Sequence, residues 1–321
     1  PNPMVGCVLV YQDRIIGEGW HQQFGGPHAE VNAINSVLKT DHLSDCTLYV
    51  NLEPCSHHGK TPPCADLIIA SGIKKVIIAN QDPNPKVAGQ GISKLRQHGV
   101  EVLVGILEEA GTFLNRRFFT FHQKHRPYII LKWAQTSDGY MARMNLDSKW
   151  ISNEYSRQLV HQYRASEDAI MVGRATAQLD NPALTTRQWE GENPTRVVLD
   201  PELVLSSDLN LFDGKVKTLC YNTRKNENGK GPEFVKVPQK EILQHIWQDL
   251  YQRQVQSVLV EGGAQLLSSI IEQDVWDEAR IFTAPDRFNV GISAPLIPTS
   301  CRQSRMISGD QLNIYYRHAS D

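Results

Sequence analysis

The sequence predicts an α/β protein built as two layered domains, and two observations carry that prediction. Short apolar runs of strand length alternate with helix-like runs along the chain. The alternation breaks at FHQKHRP (Phe121 to Pro127), a polar, basic stretch closed by proline, and then restarts. A length of 321 residues favours two domains. The boundary is set between residues 122 and 123, giving domains over 1–122 and 123–321.

In the first domain MVGCVLVY (Met4 to Tyr11) and DRIIGEGWH (Asp13 to His21) read as strands joined by a turn at Gln12–Asp13. AEVNAINSVLK (Ala29 to Lys39) has Val31, Ile34, Val37 and Leu38 at helical spacing. CTLYVNLEP (Cys46 to Pro54) is a strand stopped by proline, and CADLIIASG (Cys64 to Gly72) a short helix closed by glycine. KKVIIAN (Lys74 to Asn80), GISKLRQHG (Gly91 to Gly99) and VEVLVGI (Val100 to Ile106) continue as strand, helix and strand. This order implies a sheet with a largely parallel edge. In the second domain the strands are PYIILKWAQ (Pro127 to Gln135), DAIMVG (Asp168 to Gly173), TRVVLD (Thr195 to Asp200), VQSVLVEGG (Val255 to Gly263) and EARIFTAP (Glu278 to Pro285). EYSRQLVHQYRAS (Glu154 to Ser166) and AQLLSSIIEQ (Ala264 to Gln273) are helices, and NTRKNENGKG (Asn222 to Gly231) is a polar surface loop. No internal repeat is present.

Composition removes several classes of function. Hydrophobic residues make up 40% of the chain, enough for real cores. No apolar run is long enough to span a bilayer as a helix. A formal net charge of −2 gives no field that would draw the chain to nucleic acid or to an anionic membrane. Six cysteines in a chain of this length fit intracellular thiols, some of them metal ligands, better than a disulfide framework. A cytoplasmic location is expected. The chain begins at Pro1 without an initiator Met, so an N-terminal segment is expected to be missing.

The chemistry concentrates in PHAEVNAI and EPCSHHGKTPPC. A catalytic zinc ion needs three protein ligands and one position open to water. His28, Cys55 and Cys64 offer one nitrogen and two sulfurs, with Cys64 at a helix start that favours thiolate. Zinc acidifies bound water, and a general base must then carry a proton to the departing amine. Glu30, two residues from His28 and not needed as a ligand, suits that task. An H-A-E triplet alone arises by chance. Joined to P-C and a second cysteine, it becomes the zinc-deaminase pattern. His57 and His58 compete for the metal, but a fourth protein ligand would close the site, so they are read as loop residues.

PNPMVGCVLV, HAEVNAI, EPCSHHGKTPPC and QDPNPKVAGQG resemble the deaminase half of the bifunctional riboflavin-biosynthesis deaminase/reductase family. The eight residues between Cys55 and Cys64 separate that family from cytidine and tRNA-adenosine deaminases. The resemblance covers Pro1 to about residue 120 and implies a cytidine-deaminase-like α/β/α fold. It implies a diaminopyrimidinone substrate carrying a phosphoribosylamino group. Asn2 and His21 would contact the pyrimidine, Lys60 the ring or the phosphate, and Asp82 and Asn84 the sugar-phosphate end. By themselves these residues read as turn and surface positions.

The second domain has no zinc motif and no G-x-G-x-x-G. VEGGAQLL places a glycine pair between a strand and a helix, which suits either a phosphate at a helix N-terminus or a plain turn. With KWAQTSDGYMA, SKWIS and RATAQLDNPALTTR it resembles the reductase half of the same family, from about residue 125 to 321. That resemblance implies a dihydrofolate-reductase-like α/β fold, NADPH as cofactor and reduction of the ribosyl side chain to ribityl. Gln135, Trp150, Thr176 and Asp180 would line the nicotinamide cofactor. Gly263, Ala264, Gln265, Leu266, Leu267, Ser268 and Ser269 would cradle its phosphates. Ser148, Arg164, Leu184, Arg187 and Glu261 would face the ribose phosphate, the two arginines gripping it through bidentate hydrogen bonds. Asp138 belongs to a family motif without an assigned role. The chain departs from the family in APDRFNVGISAP (Ala284 to Pro295), where relatives carry a lysine–glycine loop, and in Gln135, often a small residue. The family also implies a homodimer.

Two other readings compete. A nucleic-acid-directed base deaminase with an accessory domain would need a basic stripe with interleaved aromatics, which the charge opposes. A zinc-stabilised scaffold would need a closed metal site or no Glu30.

Overall fold

A computed structural model describes residues 2–38, 40–57, 62–85, 87–145, 147, 151–228 and 231–317. The chain divides between His125 and Arg126 into two units. The N-terminal unit starts with a hairpin. β1 (Gly6–Tyr11) and β2 (Arg14–Trp20) pair antiparallel around Gln12 and Asp13, both in left-handed backbone with φ of 47° and 58°. Then follow α1 (Ala29–Asn35), β3 (Thr47–Leu52), α2 (Cys64–Ala70), β4 (Lys75–Asn80), α3 (Gln90–Gln97), β5 (Glu101–Val104), α4 (Glu108–Leu114) and α5 (Arg116–Lys124). The sheet order is β2-β1-β3-β4-β5, antiparallel around β1 and parallel from β3 to β5.

Alternation builds the core. Leu9, Leu48, Val50, Val76 and Ile78 meet Ala33, Ile34, Ile68 and Leu95 from the helices. α1 lies close on β2 because the strand presents glycines there. A Cβ on Gly19 would sit 2.3 Å from the Ala33 nitrogen, and one on Gly17 2.6 Å from Val37 Cγ2. The helix expected to run to Lys39 ends at Asn35. Ser36 stops it by donating its hydroxyl to the Ala33 carbonyl at 2.8 Å while accepting the Glu18 N–H at 2.9 Å. α4 and α5 add to the sequence reading. They break at Asn115, whose buried amide accepts the Met4 N–H at 2.7 Å and donates to the Met4 carbonyl at 3.1 Å.

The C-terminal unit comprises β6 (Tyr128–Thr136), β7 (Tyr140–Ala142), α6 (Glu154–Ser166), β8 (Ala169–Gly173), α7 (Arg174–Asp180), β9 (Thr195–Leu199), β10 (Thr218–Asn222), β11 (Glu233–Lys236), α8 (Ile242–Gln252), β12 (Ser257–Val260), α9 (Ala264–Glu272), β13 (Glu278–Ala284), β14 (Ile292–Ser293), β15 (Gln303–Ile307) and β16 (Asp310–Tyr316). Nine strands form one sheet in the order β11-β10-β9-β8-β12-β6-β13-β16-β15. The run from β11 to β13 is parallel, and β16 and β15 close it antiparallel. β8 and β12 are buried almost throughout, as central parallel strands must be. β12 enters between β6 and β8, so its carboxyl end opens where the chain order reverses, the usual place for a ligand crevice. The start of β6 is tied down by Asp277, which accepts the Arg126 guanidinium at 2.5 and 2.8 Å and the Ile129 N–H at 2.9 Å. None of the six cysteines is in a disulfide. Among the described residues no helix is long and apolar enough to cross a membrane.

The closeness of α1 and β2 sets a test. Gly19→Ala should lower the stability of the N-terminal unit by about 3 kcal/mol, since backbone cannot yield to the added methyl as a side chain could. The urea midpoint of that unit should fall while that of the C-terminal unit holds. An unchanged midpoint would mean that α1 has room to shift.

Candidate active sites

Three elements of the N-terminal unit deliver three donor atoms to one point. His28 is the N-cap of α1, Cys64 is the first residue of α2, and Cys55 follows the end of β3. His28 Nδ1 lies 3.3 Å from Cys64 Sγ and 3.5 Å from Cys55 Sγ, and all three donors fall within 4.8 Å of one another. Tetrahedral zinc with ordinary Zn–S and Zn–N bonds needs donor separations of about 3.5 Å, so this set fits the ion. Among the described residues the donor group has these three members. The Cys64 thiol and the His28 imidazole hold the Cys55 thiol down at about 4 against the opposing effect of burial. Its partner Cys64 is pushed far up, first by that shared proton and then by burial. A dication would replace the shared proton and favour thiolate on both sulfurs.

Glu30 stands in the first turn of α1, buried, and burial raises its carboxyl. A carboxyl raised toward neutrality can both take and return a proton. A cavity of about 400 Å³ opens beside it, lined by Asn2, His21, His28, Glu30, Cys55, Asp82 and Asn84 among others. The expected residues are thus brought together, and Cys64 lies fully buried behind them. His21 Nδ1 bonds the Pro27 carbonyl at 3.0 Å and so carries a proton there. In the neutral ring Nε2 is then an acceptor, 3.5 Å from the Asn2 amide nitrogen. Asp82 Oδ1 accepts the Asn84 N–H at 2.8 Å, and burial raises the Asp82 carboxyl. Lys60 lies outside the described residues. The cavity wall also includes Phe24, Glu53, His57 and Phe118. His57 is thus a loop residue on the cavity wall.

In the C-terminal unit the carboxyl end of β12 carries Glu261, nearly buried. Arg164 of α6 meets it with two bonds, Nε to Oε1 at 2.7 Å and Nη2 to Oε2 at 2.8 Å. Lys132 of β6 approaches at 3.7 Å. Burial alone would raise Glu261, but Arg164 and Lys132 outweigh it and hold the carboxyl at about 2. Burial lowers the Lys132 ammonium. His161, one turn before Arg164, bonds the Thr185 carbonyl at 2.7 Å, and burial with the two nearby arginines depresses it to about 4. Lys132 and His161 join the cluster beyond what the motifs suggested. A charged residue inside the apolar run IILKWA was the available signal.

Two of the expected residues already have partners within this unit. Arg164 turns its fork to Glu261, with Nη1 on the Thr185 carbonyl at 3.1 Å, so it cannot also grip a phosphate with that fork. Arg187 is more exposed, and its guanidinium is lowered by partial burial and by Arg164. Leu184 has its side chain in an apolar cluster with Ile170, Val172 and Val198, so only its backbone, at φ 50°, can face a ligand.

Thr176 of α7 abuts the glycine pair. A Cβ on Gly263 would meet its Oγ1 at 3.2 Å, and one on Gly262, at φ 114°, at 3.7 Å. The Gly262–Gly263 peptide is cis. Gly263 is the N-cap of α9, so a cradle of bare backbone opens at a helix start, which suits a dinucleotide's phosphates. The segment Gly263 to Ser269 narrows to its first turn. Leu266 and Leu267 send their side chains into the core, the Leu267 N–H already bonds the Gly263 carbonyl, and Ser269 bonds the Gln265 carbonyl. Ser268 stands in the second turn, half-buried. Asp180 ends α7, four residues on from Thr176 and therefore on the same face. Gln135 accepts the Trp133 indole N–H at 2.8 Å, near the end of β6. Asp138 gains a role: it accepts the Thr136 hydroxyl at 2.6 Å and the Phe288 and Asn289 N–H groups at 3.3 and 2.8 Å, tying down the loop after β13. Ser148 and Trp150 lie outside the described residues.

Residues 1–80 match the family model for the cytidine and deoxycytidylate deaminase zinc-binding region, and residues 127–291 match the RibD C-terminal domain. The riboflavin biosynthesis protein RibD of Aquifex aeolicus is 40% identical over 304 residues, covering 91% of this chain and 83% of that protein. The chain belongs to the RibD family. RibD of Actinobacillus pleuropneumoniae is 42% identical over 296 residues, 89% of this chain and 78% of the relative. A solved structure from Thermotoga maritima, described as a diaminohydroxyphosphoribosylaminopyrimidine deaminase/5-amino-6-(5-phosphoribosylamino)uracil reductase, is 40% identical. It superposes with a TM-score of 0.87 over 98% of this chain and 92% of that one. Like other members of the RibD family, the chain is a bifunctional enzyme of riboflavin biosynthesis, with a zinc-binding deaminase domain and a reductase domain. A nucleic-acid-directed deaminase is not favoured.

His161 and Glu261 should make the reductase unit less stable in acid. Both titrate below their ordinary values in the fold, so the unfolded chain binds their protons more tightly. Their contribution is complete above pH 6.5. It is lost first as pH falls from 6.5 toward about 4 through His161, then from 4.5 toward about 2 through Glu261. His161→Gln should flatten the upper part of that decline while leaving the lower part. Urea midpoints of this unit at about pH 7 and about pH 5 would show it. Equal declines in both proteins would exclude His161 as the source.

Proposed function

We propose that His28, Cys55 and Cys64 hold the zinc ion and that Glu30 moves the protons of a hydrolytic deamination. The substrate is 2,5-diamino-6-(5-phosphoribosylamino)pyrimidin-4(3H)-one, the substrate class that the family implies. The observation that carries this is the meeting of one imidazole nitrogen and two sulfurs beside a buried carboxyl, on the wall of a cavity large enough for a pyrimidine. Zinc bound there supplies a Lewis acid that makes water nucleophilic near neutral pH. Glu30 takes the proton that water loses on attacking the ring carbon and returns it to the amino nitrogen, so that ammonia leaves and a carbonyl remains. Asn2 and His21 orient the ring. Asp82 and Asn84, with Lys60, hold the sugar-phosphate end.

The C-terminal unit then reduces the ribosyl side chain of 5-amino-6-(5-phosphoribosylamino)uracil to ribityl. NADPH supplies the hydride. Gly262, Gly263 and the first turn of α9 hold its phosphates, with Thr176, Asp180, Gln135 and Trp150 along the rest. Arg187 and Ser148 take the ribose phosphate. As hydride forms the new C–H bond at the anomeric carbon, the ring C–O bond breaks; Lys132, kept in place by Glu261, faces the departing ring oxygen, stabilises its charge far better than water does and gives it the proton it ends with. The enzyme works as a homodimer in the cytoplasm, an assembly that light scattering would read as twice the chain mass.

NADPH oxidation with the diaminopyrimidinone as sole substrate tests the whole series. Oxidation requires both sites. Glu30→Gln should cut deamination by about a thousandfold while zinc content and reduction of pre-deaminated substrate persist. Full deaminase activity in that variant would sink the mechanism. Lys132→Met should lower the reductase kcat by about a hundredfold with deamination intact. An unchanged kcat would remove Lys132 from the reaction.

A further inference from the structure

We infer that Glu53 is a positioning residue of the deaminase site, holding the loop that brings Asp82 and Asn84 to the cavity. This rests on the reading that Asp82 and Asn84 face the substrate. Glu53 lies just beyond β3 and is only 5% exposed. Its carboxylate accepts four backbone N–H groups. Oε2 takes those of Asp82 at 3.1 Å and Gly89 at 2.9 Å. Oε1 takes those of Gly91 at 2.9 Å and Ile92 at 3.1 Å. One side chain thus ties the entry of the loop after β4 to its exit at α3. The N-cap of α3, Gly89, has no side chain to cap the helix, and Glu53 does so from another strand while setting negative charge at the helix start.

The partners exclude a direct role in the reaction. A carboxylate offers about four lone-pair sites, and backbone occupies all of them. Glu53 therefore has nothing left for substrate or for a travelling proton, although it lines the cavity. Its effect passes through the loop. Asp82 and Asn84 are already fixed to each other, so moving one end of the loop moves both. The loop's exit also presses on the zinc arm: a Cβ on Gly91 would lie 1.9 Å from the Pro54 carbonyl, next to Cys55. Glu53, Pro54 and Cys55 are consecutive, so the segment that supplies a metal donor also fixes the distance from the metal to the sugar-phosphate end of the cavity.

Glu53→Gln separates this role from a general structural one. The amide keeps one acceptor oxygen and turns an NH₂ group toward two N–H donors, which must then part from it. The deaminase KM should rise by about tenfold or more while kcat stays within about threefold, since lost placement of the distant phosphate weakens binding before chemistry. Glu53→Asp, which keeps the charge but is one methylene shorter, should give a smaller rise. Zinc content and NADPH oxidation with pre-deaminated substrate should match the unaltered enzyme. Amide hydrogen exchange should quicken across residues 82–92 and not in α2. An unchanged KM in both variants would overturn the inference. So would loss of zinc together with kcat, which would make Glu53 a support for Cys55 alone. Asn84→Ala is the companion measurement. A raised KM in Asn84→Ala with none in Glu53→Gln defeats the positioning role and leaves the substrate reading standing; no rise in either defeats both.

Discussion

Three donor atoms must stand about 3.5 Å apart around one point, and much of the N-terminal unit is arranged to meet that requirement. Donors on flexible loops would pay conformational entropy on binding the ion. Here His28 and Cys64 begin helices and Cys55, just past β3, accepts the Ala65 N–H on its carbonyl, so backbone hydrogen bonding fixes each before any ion arrives. α1 can reach its place only because Gly17 and Gly19 strip β2 of side chains. Glu53 repeats the logic on the far side of Cys55, where it joins a loop to the metal arm.

The reductase unit answers to a different constraint. Arg164, Lys132 and Glu261 are all largely removed from water, and deleting one member of such a set costs about 3–5 kcal/mol because a buried charge is left alone. Every charge in the cluster is therefore held by the others. That explains why Arg164 turns inward. An arginine that keeps Glu261 ionised has that edge of its guanidinium engaged, while Arg187 stays more exposed.

Much of this was legible in the sequence, and the exceptions share a cause. Strands and helices follow from apolar spacing, and the zinc set from H-A-E and P-C with a second cysteine, because those signals are local. α8 carries Leu243, Ile246, Trp247 and Leu250 at helical spacing and could be read in the same way. Glu53 could not, since its four partners are backbone groups 29 to 39 positions away, and backbone has no identity in a sequence. The direction of Arg164 depends on a carboxylate 97 positions on. Leu184 entered the site by resemblance, which transfers a position but not which of its atoms faces the ligand. Asp138 shows the reverse: a motif residue with no legible role becomes a loop anchor once its partners in 288–289 are in view.

The two sites also differ in the charge each leaves uncompensated. The deaminase site gathers two sulfurs and a carboxyl around one imidazole, with the Cys55 thiol held below its ordinary value. Such a set is short of positive charge, and a dication supplies it. Around Glu261, among the described residues, Lys132 and Arg164 pair with its carboxylate and Arg187 lies near enough to feel it, while His161 is held below its ordinary value. That leaves a surplus of two positive charges, and a phosphate monoester carries about −1.5 to −2 at neutral pH. The two clusters thus lean toward opposite charge. The neutral state of His161 matters to that balance: a third excess charge beside Arg164 would oppose folding more than it helped binding, and burial prevents it.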